Sequence, residues 1–453
     1  MLWEYYNNKV LFVTGGTGVI GTAVLYRLLT QSTPKQVYVL SRGGHSKAKA
    51  KWSSMLPGHV AKVLYDSKCL TVMDGELGDT ATMDLSDKDL QMLKRTVHII
   101  IHIGATMEFT HSLRELSYTI LAPTVCLTQY ALKFANLERF VFLSTAYVNA
   151  HLWNTSKSSD VPVEERIYPL ENEDEDPPYT TAPEIWRCVQ KTGTSDEYDA
   201  HDFPWPYAYA KHLAERLVLE KAAQKNALDK ILIIRPSVVG PADQLPYPGF
   251  TTSHITPATA CAAAYALHPG RKIHLSTRCE NPDQEVTIDE VPVDVVADRL
   301  LVHVALGSSG CVHAVSGEKG RLRMEDWWHA FKTERRLPWQ VKAIWNAGDW
   351  HSANLHHIAR DFKIIGTSFA FLDGKTDALV EGISAEEMGM LILYADRSKP
   401  YHQTMIHRRH HIHSAARVLA KKTLWPACAV RLLCRKGTSP VMMKQLNEKE
   451  SNL

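Results

Sequence analysis

Three glycines close to the N-terminus constrain the fold of this chain more than any other feature. Gly15, Gly18 and Gly21 lie three residues apart, directly after an apolar run that ends at Val13, and a helical apolar pattern begins at Ile20. A strand, a glycine turn and a helix in this order let the backbone approach a pyrophosphate closely, with the positive end of the helix facing it. The pattern predicts a dinucleotide site. The residues predicted to line it are Gly15, Thr17, Gly18, Val19, Ile20 and Gly21.

Short apolar runs alternate with helical patterns through the first half of the chain. Four of these runs are rich in valine and isoleucine, at residues 36–40, 98–103, 140–143 and 231–234. This alternation is typical of a buried parallel sheet that is covered by helices. We therefore predict an α/β fold with a Rossmann-type, doubly wound parallel sheet, a smaller substrate-binding part and a helical C-terminal region.

The length of 453 residues, with 45% hydrophobic content, allows one large domain with an appendage. We predict that residues 1–330 form the cofactor-binding domain, with substrate-side segments at about residues 240–330. Residues 331–453 are predicted to form a divergent helical region. An acidic, proline-bearing stretch at residues 164–178 is interpreted as an inserted surface loop.

The composition argues against several classes of protein. The eight cysteines are scattered without a CxxC pair, so we expect neither a zinc site nor a disulfide framework. No uncharged apolar run reaches about eighteen residues, and the N-terminus lacks the pattern of a secretory signal. We expect a cytoplasmic protein that binds no metal and no nucleic acid.

The charge of the chain is unevenly distributed. The formal net charge is +2, yet residues 397–447 contain eleven Lys or Arg and no Asp or Glu, so the remainder is acidic. This basic tail could lie on an anionic membrane surface, or it could pack as a helix on the acidic body. The final residues, Ser451, Asn452 and Leu453, differ at one position from the peroxisomal address Ser-Lys-Leu. Peripheral membrane contact and a peroxisomal location are therefore alternatives to a purely cytoplasmic one.

The residues after the second and third apolar runs bear on the type of cofactor. An NAD enzyme usually offers Asp or Glu to the ribose 2′-hydroxyl after the second strand, whereas this chain has Arg42 there. An arginine suits a 2′-phosphate, so the sequence favours NADPH. Asp74, after the next apolar stretch, is predicted to hydrogen-bond the adenine.

A tyrosine and a lysine four residues apart suggest the chemistry. Tyr207 and Lys211 share one face of a predicted helix. A lysine ammonium there would lower the pKa of the phenol and hold the nicotinamide ribose, so both residues are also predicted to contact the cofactor. The tyrosine would donate a proton to a carbonyl oxygen as hydride arrives. The spacing also occurs by chance, and an aromatic stripe on a helix is commonly part of a core.

Hydroxyl residues follow the apolar run at residues 140–143. Strand ends face the cofactor in this architecture, so Thr145, beside Ser144, is predicted to hydrogen-bond the substrate oxygen. The alternative is that this pair caps a helix. A proline-rich segment at residues 235–250 follows a later strand and is interpreted as a substrate-side loop, in which Pro236 and Val238 contact the cofactor.

Seven stretches occur in one order along the chain, at residues 14–21, 102–106, 143–149, 164–169, 234–239, 246–250 and 291–294. In this order they resemble the extended short-chain dehydrogenase/reductase superfamily, and within it the fatty acyl-CoA reductase family with its related thioester-reductase domains. The resemblance covers roughly residues 5–328. It implies a catalytic Thr145, Tyr207 and Lys211, NADPH at the glycine turn, and an acyl thioester as substrate.

The leading hypothesis is an NADPH-dependent reductase that converts fatty acyl-CoA to the aldehyde, the primary alcohol or both. One alternative is a reductase of a carrier-bound polyketide or peptidyl thioester, or of another substrate of the extended superfamily. Residues 118–124 lack the asparagine and glycine that the family usually has after the fourth strand. A regulatory protein that binds NADP(H) without turnover is therefore a further alternative.

Overall fold

Seven apolar segments pair side by side in a parallel sheet in the computed structural model. The structure describes residues 2–78, 82–106, 108–170, 181–252, 256–337, 339–398, 400–422, 430 and 432–435. The strands of the sheet are β1 (Val10–Thr14), β2 (Gln36–Ser41), β3 (Leu70–Asp74), β4 (Ile99–His102), β5 (Arg139–Leu143), β6 (Ile231–Pro236) and β7 (Gly310–Ala314). Every residue of β1, β4 and β6 is buried, which explains why these strands are almost entirely apolar.

The strand order is β7-β6-β5-β4-β1-β2-β3. The chain winds outward from β1 in one direction through β2 and β3, and then returns to build the other half from β4. At this switch point Thr14 pairs with Leu40 on one side and with His102 on the other. In open α/β sheets, ligands bind in the crevice beyond the carboxyl ends of the strands at such a switch point. The predicted Rossmann-type fold is confirmed.

Helices cover both faces of this sheet. Helices α1 and α9 pack together on one face, whereas α5 and α7 pack together on the other. The helices of eight or more described residues are α1 (Val19–Gln31), α2 (Gly44–Met55), α3 (Gly58–Tyr65), α4 (Asp87–Thr96), α5 (Ala122–Ala131), α6 (Ala182–Thr192), α7 (Pro206–Ala223), α8 (Pro257–Leu267), α9 (Val293–Ala305), α10 (Met324–Glu334) and α11 (Tyr401–Lys422). Within the described part of the chain, none of the helices combines the length and the apolar character needed to span a bilayer.

Shorter helical turns connect these elements. They are Leu2–Tyr6, Leu113–Leu116, Ser117–Leu121, Ala146–Asn149, Leu152–Thr155, Asp196–Ala200, Leu228–Lys230, Pro282–Glu285, Gly317–Gly320, His357–Asp361, Gly374–Val380 and Ala385–Met388.

Pairs of short strands build the region beyond the carboxyl end of the sheet. Three pairs are parallel: Val238–Gly240 with Glu290–Pro292, Lys272–Thr277 with Lys342–Ala347, and Val161–Val163 with Phe369–Phe371. One pair is antiparallel, Thr287–Ile288 with Leu322–Arg323. The described residues after 330 are thus partly helical, as predicted, and they also contribute two strands that pair with earlier residues, which the sequence pattern did not indicate.

The basic tail begins as α11, which packs against α8 and α10. Arg408 forms an ion pair with Glu290, and Arg409 forms one with Glu334. Arg417 and Lys421 are exposed on the same helix. Residues 436–447 and the final Ser451, Asn452 and Leu453 lie outside the described residues, as do residues 171–178 of the acidic stretch.

The approach of α1 to β1 depends on Gly21. A Cβ atom at this position would lie 2.2 Å from the Gly15 carbonyl oxygen and 2.7 Å from the Gly16 Cα. Both neighbours are backbone atoms that cannot move aside. Any side chain here would therefore push α1 away from the glycine turn that follows β1.

We predict that Gly21→Ala lowers the free energy of unfolding by about 1–3 kcal/mol, because the added methyl group has no space. Gly58→Ala is the matched control, since a Cβ at Gly58 meets nothing within 4 Å. Chemical denaturation of the two variants measures the difference. Equal stability of the two variants would contradict the packing described here.

Candidate active site

The glycine turn lies at the carboxyl end of β1 and leads into α1. The Gly18 amide donates a hydrogen bond to the Gly15 carbonyl oxygen at 2.9 Å, which closes the turn. Helix α1 begins at Val19, and no side chain of the described residues caps its N-terminus. The first turn of α1 contains no acidic residue. Its free N–H groups and positive end are therefore available to an anion.

The glycine turn has no side chain at Gly15, so its backbone atoms are open to close approach by a ligand. Gly15 has a φ of 74°, and a Cβ there would lie 2.6 Å from the Gly104 nitrogen. Only glycine fits this position. Val19 is buried, while Thr17 and Ile20 are half-buried at the rim. These residues fit the pyrophosphate of a dinucleotide, which needs close approach to backbone N–H groups.

The turn between β2 and α2 carries the residues predicted to distinguish the cofactors. Asp74 accepts a hydrogen bond from the Gly43 amide at 2.7 Å, so it shapes this turn. The Arg42 side chain is 71% exposed and forms an ion pair with Glu76 at 3.2 Å. Sequence reasoning missed Lys47, whose side chain lies directly against Gly43. Arg42 and Lys47 thus make one exposed basic rim beside the switch point.

Lys211 is buried on α7 and joins this helix to the sheet. Its ammonium donates a hydrogen bond to the Leu143 carbonyl oxygen at 2.8 Å and lies 4.7 Å from the centre of the Phe142 ring. Burial lowers the pKa of Lys211 to about 7, and the Glu215 carboxylate offsets part of this effect. The charge of Lys211 therefore changes within the physiological pH range.

Tyr207 lies one helical turn before Lys211, as the spacing predicted. The expectation that the lysine lowers the pKa of this phenol is wrong for the structure, because burial raises the pKa above its ordinary value. The ammonium is directed at the Leu143 carbonyl oxygen instead. At neutral pH Tyr207 is consequently an uncharged phenol that can donate its proton.

Thr145 follows β5 and lies beside the end of β6. Its hydroxyl donates to the Pro236 carbonyl oxygen at 3.4 Å and accepts from the Tyr147 amide at 3.3 Å. A bond of 3.4 Å is long, so the hydroxyl can turn toward another acceptor. Two residues beyond Pro236, Val238 is buried on a short strand at the same end of the sheet. The structure thus brings Thr145 and Pro236 into direct contact.

His102 opens one of the seven stretches of the family resemblance, but the sequence analysis assigned it no role. It ends β4, where its ring bonds the Thr14 hydroxyl at 2.8 Å and the Thr124 hydroxyl at 3.1 Å and stacks on Phe142. Burial, together with the charge of Lys211, lowers the pKa of His102 to about 3. The neutral ring therefore connects the glycine turn to the helix that begins after residue 121. A polar residue at the end of an apolar strand was the available signal.

The segment that lacks the family's asparagine contains a π-helical turn at Ser117–Leu121. Such turns occur frequently at functional sites. Ile120 and Leu121 are buried here, so this part of the segment provides apolar packing. About one helical turn further along, the Thr124 hydroxyl forms a hydrogen bond with the His102 ring.

Tyr207 lies at the edge of an aromatic cluster that is centred on Phe109. The Phe109 ring packs edge-on against Tyr207 with centroids 5.4 Å apart and stacks on Trp205 at 4.9 Å. The Phe362 ring packs edge-on against Phe109 with centroids 6.4 Å apart. Phe362 belongs to the region after residue 330, to which the sequence assigned no part of the site. No group of His, Cys, Asp or Glu suited to a metal ion occurs in the described part of the chain.

A dinucleotide turn at a switch point, with a buried tyrosine and lysine on the helix beside β5, is the construction of extended short-chain dehydrogenase/reductase domains. The comparison with family profiles narrows this class. Residues 13–300 match the NAD-binding profile that is described as male sterility protein, and the chain belongs to that family.

Relatives with similar sequences carry the name fatty acyl-CoA reductase 1. Those from Xenopus laevis and Gallus gallus are each 30% identical to this chain, over 306 and 309 residues. The human relative of that name is 29% identical over 310 residues. Each match covers 66% of this chain and 55% of the relative. The chain therefore spans about half the length of the curated relatives it matches.

Solved structures with the same architecture include reductase domains. The terminal R domain of the myxalamid PKS-NRPS pathway matches with a TM-score of 0.58 at 15% identity and covers 92% of each chain. A thiolation-reductase di-domain of an archaeal non-ribosomal peptide synthetase matches with a TM-score of 0.56 at 14% identity, over 92% of this chain and 76% of that chain. At such low identity these likenesses establish the fold.

Proposed function

We propose that this chain is an NADPH-dependent reductase of fatty acyl-CoA thioesters that forms the aldehyde, the primary alcohol or both. One observation carries the proposal: Tyr207 and Lys211 share a buried helix face, and Lys211 is bonded to the carbonyl of Leu143, two residues before Thr145. Membership of the male sterility family and the names of the relatives support the acyl-CoA substrate.

The buried phenol and the hydroxyl of Thr145 act on the carbonyl oxygen of the thioester. The bound cofactor supplies the hydride that reduces the carbonyl carbon. Negative charge then builds on the oxygen, where Tyr207 donates its proton and Thr145 donates a hydrogen bond. As the adduct collapses, its hydroxyl returns the proton to Tyr207, the carbon–sulfur bond breaks, and the CoA thiolate leaves and takes up a proton from solvent. Each aldehyde thus consumes one reduced cofactor and one proton.

Lys211 serves the site through its remaining donors. A protonated lysine has three N–H groups, and one of them is committed to the Leu143 carbonyl oxygen. The other two are free to hold the cofactor ribose beside the phenol. Phe109 packs against Tyr207, and Trp205 and Phe362 pack against Phe109, so this aromatic cluster keeps water away from the developing charge.

The basic rim of Arg42 and Lys47 supports NADPH over NADH. The ion pair between Arg42 and Glu76 is exposed, so it contributes little and can be exchanged. A 2′-phosphate offers Arg42 a stronger, charge-assisted partner.

We further propose that the protein acts in the cytoplasm, with the exposed Arg417 and Lys421 of α11 available for peripheral contact with an anionic membrane.

We predict that Tyr207→Phe lowers kcat with acyl-CoA by about 10²–10⁴-fold, because the proton donor is lost. NADPH affinity should stay near the wild-type value. Tyr209→Phe is the matched control, since that phenol bonds Ser195 and Glu197 instead. Steady-state NADPH oxidation measures kcat, and full activity of Tyr207→Phe would refute the assignment.

We predict that Arg42→Ala weakens NADPH binding by about 10–100-fold, because one charge-assisted hydrogen bond to the 2′-phosphate is lost. NADH binding should stay unchanged, since NADH has no 2′-phosphate. Arg95→Ala, an exposed arginine on α4, is the control. Fluorescence titration with both nucleotides measures the two affinities. An equal loss for NADH and NADPH would show that Arg42 does not contact a 2′-phosphate.

We predict that kcat/KM falls as the pH rises through about 7, because Lys211, whose pKa is about 7, loses its proton there. Below that pH the ammonium is present and activity is complete. Lys211→Arg keeps the charge at high pH and should remove this inflection. The pH profiles of both proteins test this, and an unchanged inflection in the variant would contradict it.

A further inference from the structure

We propose that Tyr401 and Arg408 of α11 are positioning residues for the active site. Through the buried Glu290, they hold residues 236–250 in the shape that the cofactor and substrate require. This inference rests on the proposed function. It assigns a role in the reaction to a helix that the sequence placed in a divergent basic tail.

The contacts between α11 and Glu290 are short and buried. The Tyr401 hydroxyl donates to Glu290 Oε2 at 2.5 Å. An Arg408 nitrogen lies 2.5 Å from Glu290 Oε1 and also donates to the Tyr401 oxygen at 3.0 Å. The three residues are only 2–6% exposed. A buried carboxylate of this kind depends strongly on its partners, because water cannot replace them.

Glu290 also contacts the neighbouring strand, so its position fixes the position of that strand. The strand Glu290–Pro292 pairs in parallel with Val238–Gly240. A Cβ at Gly240 would lie 2.2 Å from Glu290 Oε1, so the carboxylate rests directly against the Gly240 backbone. Four residues before Gly240, the Pro236 carbonyl oxygen accepts a hydrogen bond from the Thr145 hydroxyl. A short series of contacts therefore connects α11 to the hydroxyl proposed to bind the substrate.

A second contact joins α11 to the loop that follows. Gly249 has a φ of 83°, and a Cβ there would lie 2.8 Å from the His407 Cβ, so the loop lies against the α11 backbone. In the same loop, the Tyr247 hydroxyl donates to the Met55 carbonyl oxygen at the end of α2, at 2.9 Å. The loop thus connects α11 to the helix that follows the Arg42 turn.

Other contacts hold α11 in place independently of Arg408. Met405, Ile412 and Ala416 are buried apolar residues of the helix. The adjacent Arg409 forms its ion pair with Glu334 on α10. The two neighbouring arginines thus each pair with a buried carboxylate, but only the partner of Arg408 lies against Gly240.

The test compares Arg408→Met with Arg409→Met in the full chain. We expect Arg408→Met to lower kcat/KM for acyl-CoA, and to weaken NADPH binding, by about 10-fold, because the short strand Val238–Gly240, which follows Pro236, shifts. Arg409→Met should stay within about twofold of wild type in both measurements, even where thermal unfolding shows a similar loss of stability. Arg408→Lys, which keeps a charge beside Glu290, should recover part of the loss.

Equal kinetics for the two variants at matched stability would overturn the proposal. Tyr401→Phe, which leaves the ion pair intact and removes one hydrogen bond, is a milder variant in case Arg408→Met does not fold, and it should show a smaller loss of the same kind. Wild-type kinetics for Tyr401→Phe would then overturn the proposal. If the wild-type chain binds NADPH but reduces no thioester, the proposed function fails. The NADPH titrations of the Arg408 and Arg409 variants then still decide whether α11 positions residues 236–250.

Discussion

The position of the active site depends on one buried ion pair between α7 and β6. Glu215 and Arg235 have fully buried side chains and meet through two hydrogen bonds, of 2.9 and 2.5 Å. One turn earlier on α7, Lys211 bonds the end of β5. These polar contacts fix α7 on two neighbouring strands, so Tyr207 comes to lie at their carboxyl ends. Breaking a buried pair by removing one partner costs roughly 3–5 kcal/mol, which makes the register of this helix well defined.

The later part of the chain completes the site from the other side. Phe362 packs on Phe109, which in turn packs on Tyr207. Helix α11 reaches the strand after Pro236 through Glu290. The described residues after 330 therefore reach both the helix that carries Tyr207, by way of Phe109, and the strand Glu290–Pro292. The sheet provides the glycine turn and positions α7, and later segments contact the sheet and its helices from outside.

Local patterns explain what could be predicted from the sequence. The glycine spacing at Gly15 to Gly21 and the apolar strands depend on neighbouring residues, so the turn and the sheet followed from them. The placement of Tyr207 and Lys211 on one helix face could be predicted because four residues make about one helical turn. The contacts of Phe362 and Arg408 join residues far apart in the chain, and no local pattern encodes such pairs. The raised pKa of Tyr207 also depends on burial that only the fold reveals.

Hydride transfer to an acyl thioester is the reaction proposed for this site. The most direct measurement uses NADPH labelled with deuterium at the transferred position, together with a panel of acyl-CoA chain lengths and mass spectrometry of the products. The account predicts an aldehyde with one deuterium at its carbonyl carbon, or an alcohol with two, in proportion to the NADPH consumed. Bound NADPH without any labelled product across the panel would contradict it and would favour a regulatory role.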